Sequence, residues 1–133
     1  MASSQSPLSE TPMQTQERAM KASLDSPEKN NRPALHLIPR MLLWGVGSVL
    51  AFGARKYAAH NWRKGLPYSE LGRAALGHVS LWLDGESTDP ESGLPHLAHA
   101  ACCIAFLLEY TSYPLTYGHF DDRHKMNNLP EVK

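Results

Sequence analysis

Between Glu70 and His99 the chain gathers side chains that can hold a metal ion and move a proton. His96 and His99 stand three apart in the run His96-Leu97-Ala98-His99, a spacing that turns both imidazoles to the same side of a helix. His78 falls on an apolar helical stripe with Leu71, Ala75 and Trp82, which aims it inward. Glu86 and Asp89 follow as Glu-x-x-Asp in a turn-rich acidic segment, with Glu91 just after. Imidazoles mixed with carboxylates suit a divalent transition ion, whereas an all-carboxylate set suits Mg. The expected ligands are His78, Glu86, Asp89, His96 and His99. The ion is one of Mn, Mg, Zn, Co or Ni. A carboxylate outside that set, Glu91 or Glu70, is the candidate to take a proton from water. A bland reading competes: inward histidines are often hydrogen-bonded core residues, and acidic loops are often only solvated.

A second group lies upstream, at Lys56 and His60 to Lys64. Arg63 and Lys64 can bind phosphate, Arg63 through two parallel hydrogen bonds. Trp62 can stack on a base and Asn61 can bond a base edge, with Lys56 and His60 beside them. These six are the expected substrate-binding residues. The competing expectation is that Trp62 packs a helix junction while the charges face water.

Three helices are needed to position these groups. Pro39 can open the first, since its missing N–H is no loss there. Leu43, Val46, Leu50, Ala54 and Tyr57 then recur at spacings of three or four, which predicts a helix to about Ala58. The second spans about Tyr68 to Asp84 and stops at Gly85. The third runs from about Leu94 to Tyr110, with Leu97, Ala101, Ile104 and Leu108 as its apolar stripe. No alternating strand pattern competes. The expected fold is an all-α bundle of about three main helices, residues 34–117. A disordered tail, 1–33, precedes it and a polar tail, 118–133, follows it.

The composition bounds the partners. With 13 basic and 13 acidic residues the chain lacks the charge that long nucleic acid attracts. Its longest apolar run, Met41 to Ala54, is too short to span a membrane, and no signal-peptide core precedes it, so a cytoplasmic protein is expected. The paired Cys102 and Cys103 lie in an apolar run and read as buried, reduced thiols. So short an ordered core is marginal alone, which predicts a homo-oligomer. Trp44, Phe52, Phe106 and Leu107, off the inward stripes, are the side chains expected to form the contact.

The motifs carry a resemblance as well. Phe52-Gly53-Ala54-Arg55-Lys56-Tyr57, then His60-Asn61-Trp62-Arg63-Lys64-Gly65, resembles the signature of the dATP/dGTP diphosphohydrolase N-terminal domain family of phages and prophages. The match continues through Tyr68-Ser69, His78, Gly85-Glu86, Asp89 to Gly93 and His96 to Ala100, and so covers Leu35 to Glu109. One departure is His36, at a place where the family usually has an acid. The resemblance implies metal-dependent hydrolysis of a purine deoxynucleoside triphosphate to monophosphate and pyrophosphate, in a bacterial or phage-infected cytoplasm. The alternative is a phage nucleotide-binding protein that sequesters a host signalling nucleotide without chemistry.

Overall fold

The computed structural model describes residues 9–25 and 32–125. Residues 1–8 and 26–31 of the expected N-terminal tail, and 126–133 of the C-terminal one, lie outside the described residues. Five α-helices and no strand occur among the described residues: α1 (Pro12–Asp25), α2 (Arg40–Lys56), α3 (Tyr68–Leu83), α4 (His96–Ser112) and α5 (Pro114–Tyr117). The three main helices of the sequence reading are α2, α3 and α4, each within about two residues of its expected ends. Helix α4 is central and packs against both α3 and α2.

The N-terminal segment departs from the disorder expected of its composition. Thr11 and Gln14 form a reciprocal cap: the Gln14 N–H donates to Thr11 Oγ1 (3.1 Å), and the Thr11 N–H donates to Gln14 Oε1 (2.9 Å). Pro12 follows at the first helical position, where no N–H is needed. Glu17 then accepts a hydrogen bond from the Leu115 N–H (2.8 Å), tying α1 to α5.

The core forms where aromatic residues of distant segments meet. Tyr68, Leu71 and Tyr110 are buried, with Trp62, Phe106, Tyr117 and Phe120 against them. Tyr68 and Tyr110 stack with planes 13° apart, and Tyr68 Oη donates to the Tyr110 carbonyl (3.2 Å). Tyr110 Oη donates in turn to the carbonyl of Trp62, pinning the loop between α2 and α3. Gly65, at φ +92°, lies against the Phe120 ring; a Cβ there would overlap it. The start of the expected polar tail is therefore part of the core. Asp122, beyond Phe120, accepts the Ser69 N–H (2.8 Å) and the Ser69 hydroxyl (2.5 Å) at the start of α3. Such a bond satisfies a helix N–H that Pro67, at the N-cap, has no side chain to reach.

Two stripes face the other way from expectation. Leu97, Ile104 and Leu108 of α4 are exposed, as are Leu43 and Leu50 of α2 and Tyr57 just after it. The inward face of α4 is instead His96, Cys103, Phe106, Leu107 and Tyr110. The reason is that α4 is apolar nearly all round, so its periodicity does not say which side is in. Of the four side chains expected at an oligomer contact, Phe106 and Leu107 pack against the core, Phe52 is half-buried, and Trp44 is exposed.

Candidate metal centre and adjoining cavity

Helix α3 delivers His78 and then stops sharply. Gly85 adopts φ +96°, the Glu86 N–H bonds to the Leu81 carbonyl and the Gly85 N–H bonds to the Trp82 carbonyl. That double closure turns the chain into the acidic loop with the last carbonyls satisfied. The loop is pinned at both ends, by the Asp89 N–H on the Leu94 carbonyl (2.8 Å) and the His96 N–H on the Ser87 carbonyl (3.0 Å). Helix α4 then opens directly at His96, one turn from His99.

The result is a cluster. His78, Asp89 and His96 bring three ligand-capable atoms within 4.8 Å of one another. His78 Nδ1 and His96 Nδ1 are 2.8 Å apart, and Asp89 Oδ2 is 4.0 Å from His78 Nδ1. Asp89 commits its other oxygen to the loop, accepting the Glu91 N–H (2.8 Å) and the Ser92 N–H (3.3 Å). That division fixes the carboxylate with Oδ2 toward the histidines. His96 is 1 % exposed, and its Nε2 is buried without a hydrogen bond, although Glu86 Oε1 lies 3.3 Å away.

His99 stands beside the trio rather than in it. Its ring stacks on His78 with centroids 4.8 Å apart, and its Nε2 lies 2.6 Å from Ser92 Oγ. Ser92 is a residue the sequence reading missed. Its signals were its place in the Asp89 to Gly93 run of the family resemblance and the Asp-Pro-Glu-Ser turn, in which Asp89 orders the backbone that presents it.

The set passes a chemical test for a divalent ion. Two imidazoles and one half-buried carboxylate suit Mn, Co, Ni or Zn. A neutral imidazole has one N–H for two nitrogens. His96 turns Nδ1 to His78 Nδ1 at 2.8 Å and Nε2 to the side of Glu86, so an N–H at Nε2 leaves Nδ1 a lone pair for an ion. Two nitrogens bound at ~2.1 Å lie ~3.0 Å apart at right angles and ~3.4 Å apart in a tetrahedron, so the 2.8 Å between His78 and His96 would open slightly around an ion.

Burial, and the neighbouring imidazoles His99 and His96, hold the His78 pKa below its ordinary value. His99 is lowered too, chiefly by burial, against an opposing pull from Asp89. At Asp89 burial works to raise the pKa, but the Glu91 and Ser92 N–H groups prevail and the net shift is downward. The consequence for stability has a definite sign. Below about pH 6.5 the unfolded chain takes up imidazole protons that the folded chain refuses, so stability falls with pH from there downward. Urea midpoints at pH 7.5 and 5.5 should differ, the lower pH giving the lower midpoint. Equal midpoints would show that the two rings are not held neutral.

The upstream group divides. A cavity of about 300 Å³ between α2 and α4 has Lys56, His60, Asn61 and Trp62 in its wall, with His99 and Phe106 across from them. Arg63 and Lys64 are not in that wall. Trp62 stacks on Phe106 at 5.2 Å, and the Arg63 guanidinium lies 4.7 Å over the Trp62 ring. Trp62 thus packs the helix junction against Phe106 and also forms part of the cavity wall. His60, at φ +62°, accepts an Arg63 Nε–H (3.4 Å) and so fixes the turn. Lys56 pairs with Glu91 at 2.6 Å, joining the end of α2 to the acidic loop.

Glu70 is not brought to the cluster. It sits in the first turn of α3, eight residues before His78 and so ~12 Å away along the axis. Cys102 is buried, and burial pushes its thiol up to about 12, in keeping with an inert core residue.

An all-α frame that converges histidines and a carboxylate beside a cavity defines a class: helical proteins with a candidate metal centre in the α3–α4 connection. The comparisons with known proteins go further. The model of the dATP/dGTP diphosphohydrolase N-terminal family matches residues 25–123, and the chain belongs to that family. It is 34% identical over 99 residues to a dATP/dGTP diphosphohydrolase of Salmonella phage PMBT28, a match covering 74% of this chain. The chain spans 33% of the length of that relative. No solved structure matches. Among the described residues no helix is long and apolar enough to cross a membrane.

Proposed function

We propose that this chain is a metal-dependent phosphohydrolase of purine deoxynucleoside triphosphates, which water splits into monophosphate and pyrophosphate. The observation that carries the reading is the convergence of His78, Asp89 and His96 beside a cavity whose wall includes His99, stacked on His78. The family's name and that of the phage relative supply the substrate class. A divalent ion held there would polarise a phosphoryl oxygen and make bound water more acidic.

The chain's own residues have separable tasks. His78, Asp89 and His96 hold the ion, and Glu86, 3.3 Å from His96 Nε2, offers a further carboxylate at the same edge. His99, fixed by Ser92 and stacked on His78, borders both the cluster and the cavity. Asn61 and His60 line the cavity with polar atoms suited to a base, and Lys56 at its rim meets a phosphate. Glu91, adjoining Asp89, takes the proton that the attacking water gives up. The phosphorus–oxygen bond to the β-phosphate breaks, and pyrophosphate leaves.

The test is incubation of the purified 133-residue chain with Mn and each deoxynucleoside triphosphate in turn. Release of pyrophosphate, fastest with dATP or dGTP, is the expected result. No turnover with any nucleotide refutes the enzymatic reading. A second reading rests on the cavity itself, whose wall joins Lys56, His60 and Asn61 to apolar Phe52 and Phe106. In it the cavity captures a nucleotide without cleaving it, and binding of dATP or dGTP with no product distinguishes the two.

A further inference from the structure

Helix α4 is apolar on more sides than this chain covers. From Leu97 to Leu108 it has no Asp, Glu, Lys or Arg. Its inner sides meet α2 and α3, yet Leu97, Ile104 and Leu108 remain 44 %, 49 % and 64 % exposed. With Ala101 these residues are spaced by four, three and four, the repeat of a seam that interlocks with a second helix. Gly45 of α2 extends the surface. A Cβ there would meet the Ala98 Cβ at 3.1 Å, so the glycine lets α2 lie close against α4. That approach sets Met41 and Leu42 beside Leu97 and Ala101, around a groove of about 350 Å³.

We infer that the α4 seam, with Met41 and Leu42, is the contact between two copies of this chain, related by a two-fold axis with their α4 helices antiparallel. Self-pairing fits for three reasons. The seam has no charge, so like meets like without repulsion. Side-chain knobs and a groove lie on the same face, as a self-complementary contact requires. The area also suffices: at ~30 Å² per methylene-sized group, the five large side chains present roughly 350 Å² of apolar surface per copy. Doubled, that matches the apolar share of an interface of about 1,200 Å², the lower bound for a stable complex. The outer face of α2 is a poorer candidate, because Arg40 at one end and Arg55 at the other would oppose each other in an antiparallel pair. The inference is independent of the reading of the metal centre.

Sedimentation equilibrium of the full chain from 1 to 100 µM tests it. The wild type should sediment at twice its 14.8 kDa mass at the upper end of that range. Ile104→Glu should raise the dimer dissociation constant at least tenfold, and Leu108→Gln should raise it too. Both side chains are largely exposed in the free chain, so helix content by circular dichroism should persist. Should Ile104→Glu fail to fold, Leu108→Gln alone decides. Leu76→Glu, at a still more exposed leucine on α3, should leave the dimer intact. A monomeric wild type overturns the inference and leaves the seam to a different protein. Dissociation by Leu76→Glu while both seam variants stay dimeric overturns it as well, placing the contact on α3.

Discussion

Replacing His96 by alanine is expected to abolish metal retention and, with it, turnover. His96 is the most buried of the three candidate ligands, and its Nε2 has no hydrogen bond to lose. Removing it takes one of two imidazoles from a set of three ligand atoms. Loss of even an outer-shell partner costs ~10–100-fold in affinity, so loss of a ligand should exceed about 100-fold. Elemental analysis of purified protein and a thermal melt with and without Mn check this. The wild type should gain melting temperature with Mn, since an ion that binds only the folded chain stabilises it, and His96→Ala should gain none. His99→Ala should be milder, because His99 stands beside the trio and is occupied with Ser92. Full metal content in His96→Ala would place the ion elsewhere. Equal losses in both variants would put His99 among the ligands.

The second large effect concerns Tyr110, which ties the cavity wall to the core. It is wholly buried, stacks on Tyr68, meets the Tyr117 ring at a tilt of 38°, and its hydroxyl holds the Trp62 carbonyl. Burial pushes its phenol up to about 12, so the ring is neutral near pH 7. Tyr110→Ala should cost about 3–5 kcal/mol, a large fraction of the stability of a domain this size. Tyr110→Phe keeps the packing and forfeits the hydroxyl, at about 1 kcal/mol. Urea denaturation measures both. If the two variants lose equally, the hydrogen bond to the loop outweighs the ring, and the packing argument fails.

What could be read from the residues alone follows from which interactions are local. The three main helices announce themselves in spacings of three and four, and His96 and His99 in one helical turn. Gly85 marks the end of α3 because a left-handed residue is needed there. The cap of α1 was equally local, in Thr11-Pro12-Met13-Gln14, but the polar composition around it argued the other way. Other features depend on long-range packing. Trp62 could face a ligand or the core until Phe106, far along the chain, took one side of its ring. The inward side of α4 was illegible for a different reason: a helix apolar all round has no preferred face until its neighbours are placed. Glu70 looked near the site in sequence, but a helix rises too far in eight residues.

The pair between Lys56 and Glu91 has a consequence for the order of events at the site. Both side chains are largely exposed, and such pairs contribute little to holding a fold together. It is therefore a clasp rather than a strut. On the function proposed here, an arriving phosphate competes with Glu91 for the same ammonium group. As it wins, the carboxylate is handed back, unpaired, beside the acidic loop. On that proposal Glu91 would be muzzled by Lys56 until a phosphate displaced it, and the substrate would arm the group that acts on it.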